Sequence, residues 1–281
     1  MSTSFEVLGG YVNVGLAYDK VTNYLWIGEY NPSGNGYIHE TKRDGTEIRK
    51  IEVQGTENLQ GVAYDSASDT IWVTDGNITT YNLFEVSKQG VILTSLQLPY
   101  KLGAGIAFNP DRNTLFVSPY SPDRTIYEIN KSGTTITTIT IDSAFNPSSG
   151  LLYADGMSYD MDTTLWITQN GDPSIWQINQ SGSVLKSLAN PSGNEAEGVA
   201  LDLLDNTLWY SADEEYHQSV DDGNRIFHLD KSGNLVDGYT SNETIRPCKM
   251  IVNYGNEIRV CASFTNNGGV ITENTPYINY E

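Results

Sequence analysis

The sequence predicts an all-β fold, a single β-propeller with six blades of four antiparallel strands each. A phrase of two apolar runs joined by a polar turn recurs along the chain, and its leading glycines are Gly15, Gly61, Gly105, Gly156 and Gly198. A third run, ending in a further glycine, follows each phrase. A period of roughly 40–50 residues built from short strands is typical of a propeller. The abundance of Gly, Asn, Thr, Ser and Tyr also favours strands and turns.

The first two strands of each blade are predicted by the recurring phrase itself. It reads "VGLAYDKVTNYLWIGEY" from Val14, "QGVAYDSASDTIWVTDG" from Gln60 and "AGIAFNPDRNTLFVSPY" from Ala104. It continues as "DGMSYDMDTTLWITQNG" from Asp155 and "EGVALDLLDNTLWYSAD" from Glu197. Two alternating apolar runs around a polar turn predict an antiparallel hairpin.

The third and fourth strands follow in each unit. In the five units the third strand is predicted in the segments "YIHETKRDG", "NLFEVSKQG", "TIYEINKSG", "SIWQINQSG" and "RIFHLDKSG". Its closing glycine predicts a turn, and a fourth run such as "EIRKIEV" or "TITTITI" comes next. Four such strands make one blade.

A sixth unit is predicted from the end of the chain. Shifting the fifth unit by fifty residues places "CKMIVNYGNEIRVCAS", from Cys248, onto "GVALDLLDNTLWYSAD". Blades are therefore expected to begin near 14, 60, 104, 155, 197 and 247 in one domain spanning 1–281. Because no convincing fourth strand follows "GGVITEN", we expect residues 4–9 to complete the sixth blade by pairing near 270–272 and to hide its free edge.

Two sets of recurring side chains are interpreted as structural. An aromatic residue holds one position of the second strand, and this set is Trp26, Trp72, Phe116, Trp166 and Trp209. Its recurrence in five blades favours packing between blades over a sugar-binding platform. An Asx residue holds the end of the first strand, and this set is Asp19, Asp65, Asn109, Asp160 and Asp202. Such residues suit hairpin turns through local hydrogen bonds, so no chemistry is assigned to them.

Charge and hydropathy exclude some classes of function. The formal net charge of −19 argues against nucleic acid as a partner, because a phosphate backbone is bound by basic surfaces. No segment approaches the roughly 20 apolar residues of a membrane-spanning helix, so no membrane insertion is expected. The N-terminal residues do not resemble a secretory signal, which leaves a virion or the cytoplasm as the expected location.

The repeats resemble those of the NHL-type, the gluconolactonase-like (regucalcin-like) and the bacterial SdiA-regulated propellers. "DGMSYDMDTTLWIT" and "EAEGVALD" are similar to the lactonases, and "EGVA…NTLW…IFHLDKSGNL" resembles the SdiA-regulated group. The lactonase resemblance implies a divalent cation at the mouth of the central channel, held by Glu, Asn and Asp from different blades. Unrelated functions occur on propellers, so the fold alone decides little.

Asp155 and Glu197 are the candidate metal ligands at that mouth. They stand directly before two of the repeated glycines, and oxygen ligands of this kind suit Ca²⁺ or a similar hard cation. The match to the lactonases is partial, because Ala104 replaces the expected asparagine and Glu197 comes from the next blade. A hydrated channel mouth is the alternative interpretation.

The loop "ADEEYHQSVDDGN" is the longest insertion between a second and a third strand. Asp213, Asp221 and Asp222 in it are candidate cation ligands, although their spacing does not match an EF-hand loop and a solvated acidic loop is the alternative. Loops on the same face are rich in Tyr, Asn and Ser, as recognition loops are. The candidate binding residues in these loops are Tyr30, Asn35, Tyr120, Tyr216 and His217.

The two cysteines are predicted to lie close together. In the alignment Cys248 matches Gly198 and Cys261 matches Ser211, which face each other if the fifth hairpin turns between Leu204 and Asp205. Directly opposed residues on paired strands lie within disulfide range, so Cys248 and Cys261 are a disulfide candidate. A pair of buried thiols is the alternative.

A non-catalytic binding or assembly module is the function that these features favour. We expect a phage virion, tail or surface-appendage component whose propeller loops recognise a protein partner or a surface glycan, or dock into a larger complex. No G-x-S-x-G elbow, phosphate-binding loop or H-E-x-x-H motif is present. The alternative is a metal-dependent, lactonase-like hydrolase with its cation at the top of the channel.

Overall fold

The computed structural model describes residues 4–6, 13–29, 35–56, 59–76, 82–120, 123–169, 171–190, 195–213 and 225–236. It also describes residues 252–254, 257–259, 264–267 and 270–273, which, like 4–6, 13–14 and 213, are described by their backbone. The chain divides into two compact units, Ser4–Val236 and a second unit that contains Asp237–Glu281. None of the described residues forms a helix long and apolar enough to cross a bilayer.

The unit Ser4–Val236 contains five four-stranded antiparallel sheets among the described residues, one for each of the first five repeats. Blade one is β2 (Asn13–Asp19), β3 (Tyr24–Glu29), β4 (Gly36–Lys42) and β5 (Glu47–Val53). Blade two is β6 (Leu59–Asp65), β7 (Thr70–Asp75), β8 (Asn82–Val86) and β9 (Ile92–Gln97). Blade three is β10 (Leu102–Asn109), β11 (Thr114–Pro119), β12 (Thr125–Ile129) and β13 (Thr135–Thr140).

Blade four is β14 (Gly156–Tyr159), β15 (Leu165–Thr168), β16 (Ser174–Ile178) and β17 (Val184–Ala189). Blade five is β18 (Glu195–Asp202), β19 (Thr207–Asp213), β20 (Arg225–Leu229) and, as its outer strand, β1 (Ser4–Glu6). The described residues of the second unit form two hairpins, β21 (Val252–Tyr254) with β22 (Glu257–Arg259) and β23 (Phe264–Asn267) with β24 (Val270–Glu273).

The first strands form a ring around the central axis. Each contacts the next in the order β2, β6, β10, β14, β18, and β18 contacts β2 again. The leading glycines recur because these strands approach one another closely. A Cβ atom on Gly61 would lie 1.8 Å from the carbonyl oxygen of Ala104, and one on Gly105 would lie 2.5 Å from that of Ala154.

The closing glycines of the third-strand phrases occupy the predicted turns. All five adopt a positive φ of 83–89°, a conformation that favours glycine, and the set is Gly45, Gly90, Gly133, Gly182 and Gly233. Five of the predicted blade starts also match, since the first strands begin at or within two residues of the expected positions 14, 60, 104, 155 and 197.

The prediction of six blades is wrong. The ring closes from β18 directly to β2, and β1 pairs with β20 of blade five, with Phe5 opposite Ile226. The expected partner segment near Val270 pairs with β23 instead. The hairpin expected at the start of a sixth blade does exist, but Tyr254 pairs with Glu257, so its turn is centred one residue later than the alignment placed it.

The residues of the sixth segment explain the error. Cys248 stands where the other units have the leading glycine. The first strands approach one another too closely at that position to leave room for a Cβ atom. Val252 and Arg259 stand where blade five has Asp202 and Trp209. Alternating apolarity alone predicts a hairpin, whereas joining the ring needs these further groups.

Those groups form a contact that joins neighbouring blades. In blade one, Asp19 accepts a hydrogen bond from the indole Nε1 of Trp26 at 3.4 Å and an ion pair from Lys88 of blade two at 2.7 Å. Its other oxygen accepts the backbone N–H groups of Val21 and Thr22, the local turn bonds expected from sequence. Burial of Asp19 raises its pKa, but Lys88 and these backbone donors outweigh that and hold the pKa below its ordinary value.

The same contact recurs at three more interfaces. Asp65 binds Trp72 and Lys131, Asp160 binds Trp166 and Lys231, and Asp202 binds Trp209 and Arg43. In the last, Arg43 Nε of blade one lies 2.7 Å from Asp202 of blade five, so this pair closes the ring. The aromatic side chains of the set are at most 2% exposed, which confirms that they pack the blades.

At the interface between blades three and four, the carboxylate, the indole and the cation are all replaced. Asn109 stands at the carboxylate position, Phe116 at the indole position and Gln180 at the position of the lysine. A buried charge without a partner is costly, so a neutral amide is compatible with the loss of the cation. At each of the five interfaces the carboxylate at this position and its cation are therefore either both present or both absent, so this pair stays charge-balanced.

This substitution pattern predicts how the interface of blades two and three responds to mutation. Asp65→Asn should lower the free energy of unfolding by about 3 kcal/mol, because it leaves the ammonium of Lys131 without its carboxylate. Lys131→Gln should cost a similar amount by isolating the fully buried Asp65. The double variant should recover much of this loss, since it copies Asn109 and Gln180.

Urea unfolding monitored by tryptophan fluorescence measures the three free energies. Asp44→Asn, at an exposed turn of blade one, is the matched control. It should lower stability far less than Asp65→Asn does, because the amide oxygen can still accept the N–H of Thr46. A double variant as unstable as the sum of the two single variants would contradict the charge-balance account.

Candidate functional site

The predicted acidic pair lies at the end of the axis where the first strands begin, which we call the top face. Asp155 directly precedes β14, and its N–H donates to the carbonyl of Thr168 at 2.9 Å. Glu197 lies in β18, and its carbonyl accepts the hydroxyl of Thr168 at 2.5 Å. Thr168 therefore links the two residues across the interface of blades four and five. Both are buried, with exposed fractions of 8% and 3%.

Tyr153 is a neighbour of the pair that sequence reasoning missed. Burial raises the pKa of its hydroxyl, and the carboxylates of Asp155 and Glu197 together with Tyr120 raise it further. Both carboxylates therefore act electrostatically on the hydroxyl of Tyr153 and favour its protonated form. Tyr153 lies in the connection between blades three and four, which has no counterpart of equal length in the other repeats, so the period gave no signal for it.

Tyr120, a predicted binding residue, lies beside Tyr153 and is 51% exposed. The two ring centroids are 4.6 Å apart at an angle of 44°. Lys101 Nζ lies 4.4 Å from the centroid of Tyr120, and the N–H of Tyr120 donates to the carbonyl of Lys101 at 2.8 Å. We call Tyr120, Tyr153 and Lys101 the aromatic platform. Its contacts fix an exposed ring next to a buried acidic pair.

The donor set at the pair suits a hard cation only in part. Carboxylate and phenol oxygens are the right type, but Ca²⁺ takes six or more oxygen ligands. Ala104 offers no side-chain oxygen at the position where the resemblance to the lactonases implies an asparagine. Asp155 and Glu197 would supply the carboxylates of any ion bound there.

The other predicted site residues are not brought together by the described part of the chain. Asn35 is exposed on blade one, where its amide donates to Glu52. Asp213 ends β19, and its backbone pairs with Glu195. The remaining predicted residues lie outside the described ranges, namely Tyr30, Tyr216, His217, Asp221, Asp222, Cys248 and Cys261.

A second acidic cluster lies at the opposite end of blade five. Among the described residues, Asp202, Asp205 and His228 place three candidate ligand atoms within 4.8 Å of one another. Arg43 already binds both carboxylates, and the His228 ring stacks on Trp209 at 4.0 Å. Burial raises the pKa of Asp205, but the nearby His228 ring, the hydroxyl of Thr207 and the charge of Arg43 hold that pKa well below its ordinary value.

A cation at this second cluster would have to displace the guanidinium that closes the ring. The residues therefore fit a structural contact between blades and not a metal site. The sequence pattern marked Asp202 as a turn residue, but it contained no sign of the contact with Arg43, which is distant in sequence.

Comparison with known proteins identifies the fold only. No family model matches the sequence, and no curated protein matches it. A luciferin-regenerating enzyme is 15% identical with a TM-score of 0.52, over 84% of this chain and 97% of that one. A chain of a nidogen–laminin complex is 17% identical with a TM-score of 0.51, over 73% of each chain. A streptogramin B lyase is 17% identical with a TM-score of 0.47, over 96% of this chain and 85% of that one. The two likenesses with a TM-score above 0.5 confirm a β-propeller.

The acidic pair makes a testable prediction about calcium. If Asp155 and Glu197 share an ion, calcium at roughly a hundredfold above its Kd should stabilise the protein by about 2.7 kcal/mol through mass action. We expect a higher Tm in calcium, and we expect Asp155→Ala to remove the gain while Asp44→Ala keeps it. Differential scanning calorimetry with and without chelator measures both. A gain that survives Asp155→Ala would place the ion elsewhere, with the Asp213–Asp222 loop as the next candidate, and no gain would support a hydrated mouth.

Proposed function

We propose that this protein is a non-catalytic recognition module that binds a protein partner or a surface glycan through its top face. The observation that carries the proposal is the aromatic platform, in which a half-exposed tyrosine is fixed by a second tyrosine and a lysine. Tyrosine offers a large, rigid and amphipathic contact area at low entropic cost, which suits recognition surfaces.

The surroundings of the platform support the same function. Leu151, in the same connection as Tyr153, is 40% exposed. The buried carboxylates of Asp155 and Glu197 make this part of the face acidic, which favours partners with cationic or hydroxyl groups. No nucleophile motif accompanies them in the sequence.

The biological setting that we propose is a phage virion, a phage tail or a surface appendage, in which the module docks into a larger assembly. The composition supports this setting, because the chain has few lysines and arginines, 16 in total against 35 acidic residues, and many Asn, Thr and Tyr. A rigid ring of blades suits a display role, since it holds its loops in fixed positions.

The alternative function is a metal-dependent, lactonase-like hydrolase. The buried pair Asp155 and Glu197 is the specific observation that favours it, because a cation held there would polarise a carbonyl oxygen as a Lewis acid. The missing asparagine at Ala104 weighs against it. Hydrolysis of a panel of aliphatic lactones in calcium, lost in Asp155→Ala, would establish this alternative in place of the recognition module.

A mutation of the platform tests the proposal. Wild-type protein is screened against immobilised surface polysaccharides and candidate protein partners, and the affinity of each hit is measured by biolayer interferometry. Tyr120→Ala should weaken binding by about tenfold or more, as expected for a central aromatic contact. Tyr24→Ala is the matched control, because Tyr24 lies on blade one at the end opposite the top face. This variant should bind as the wild type does. Partners that bind Tyr120→Ala normally would contradict the proposed surface.

A further inference from the structure

A cavity of about 290 Å³ opens at the end of the axis opposite the aromatic platform. It lies where the first strands end, and all five blades contribute side chains to it. One wall is formed by the third residue after each leading glycine, and this layer is Tyr18, Tyr64, Phe108, Tyr159 and Leu201. We call this space the axial cavity. Four of its five wall residues are aromatic.

The tyrosine hydroxyls of the wall are already bonded to the protein. Tyr18 donates to Asn23 at 2.7 Å, and Tyr64 donates to Asp69 at 2.6 Å. Tyr159 donates to Asp111 of the neighbouring blade at 2.6 Å. These bonds fix the rings, and they leave ring carbons as the main surface that the tyrosines offer to a ligand.

Two of the lysines that join neighbouring blades also lie close to aromatic rings of the wall. Lys88 Nζ lies 4.9 Å from the ring centroid of Tyr64, and Lys131 Nζ lies 5.1 Å from that of Phe108. Both lysines are also held by the carboxylates of the interblade contacts. The wall is therefore built into the framework of the ring and is organised before any ligand binds.

The mouth of the axial cavity is amphipathic. It is formed by the fifth residue after each leading glycine, and this set is Lys20, Ser66, Pro110, Met161 and Leu203. At this position blades one and two contribute polar groups, whereas blades three to five contribute apolar ones. The carboxylate of Asp111, which accepts the hydroxyl of Tyr159, also lines the cavity. Met161 is 75% exposed and Leu203 is 40% exposed, although turn positions of this kind are ordinarily polar.

The volume and the wall chemistry together define a ligand class. A dry apolar cavity of roughly 150 Å³ accommodates benzene, so a cavity near twice that size accommodates two fused rings. Such a ligand would stack on the aromatic wall, with a polar substituent at the side of Lys20 and Ser66. We propose that the axial cavity binds a small bicyclic aromatic molecule with one polar substituent. This site is independent of the recognition surface proposed for the top face.

Binding of 2-naphthol to the full chain, followed by its fluorescence, tests the proposal. We expect saturable binding of one molecule per chain, and Met161→Asp or Leu203→Asp should weaken it about tenfold or more by placing a charge at the apolar side of the mouth. Leu204→Asp is the matched control, because Leu204 is 50% exposed beside Leu203 but does not line the cavity. It should bind 2-naphthol as the wild type does, and so should Tyr120→Ala.

Circular dichroism establishes that each variant is folded before binding is compared. If Leu203→Asp does not fold, Met161→Asp is compared with the wild type in its place. The proposal is overturned if 2-naphthol shows no saturable binding up to its solubility limit. It is also overturned if Leu204→Asp weakens binding as much as Leu203→Asp does, because the probe would then bind an exposed apolar surface outside the cavity.

Discussion

A buried carboxylate shared by an indole and a cation from the next blade is the interaction on which this ring depends. Each blade alone is a four-stranded sheet with two apolar faces, and it becomes stable only by packing between two neighbours. Apolar packing is not directional, whereas the contact of Asp19 with Trp26 and Lys88 fixes how neighbouring blades are aligned. Its last copy, between Arg43 and Asp202, joins the two ends of the row of blades.

The same framework gives the two ends of the axis different chemistry. At the top, the strands begin with Asp155 and Glu197, and the connection that carries Tyr153 adds an aromatic platform. At the other end the interblade lysines lie against Tyr64 and Phe108, so the groups that hold the ring also shape the axial cavity. The recognition surface and the ligand cavity that we propose would therefore use opposite ends of the same ring of blades.

Most of the blade architecture could be predicted from sequence, because it is determined locally. Alternating apolarity defines strands, and a turn glycine such as Gly90 has a conformational requirement that is visible in the sequence. The number of blades could not be predicted in the same way, since closure depends on Arg43 meeting Asp202 across the whole ring. The hairpin near Tyr254 has the local pattern of a blade, and only the substitutions at Cys248, Val252 and Arg259 distinguish it.

The candidate site was predictable to a similar extent. Asp155 and Glu197 stand at repeat positions, so the alignment found them. Tyr153 lies in an insertion that the repeat does not describe, and its relation to Tyr120 depends on tertiary packing. The axial cavity was also missed, because its wall is formed by one side chain from each of five blades and no single segment contains the pattern.

Closure by five blades is the central claim, and truncation tests it most directly. All five tryptophans precede residue 236, so their fluorescence reports on the ring alone. A chain ending at Val236 should unfold in one cooperative transition, with the calorimetric enthalpy equal to the van't Hoff enthalpy. A control chain ending at Asn190, which lacks β18 to β20, should lose that transition. Loss of cooperative unfolding in the chain that ends at Val236 would contradict a ring closed between blade five and blade one.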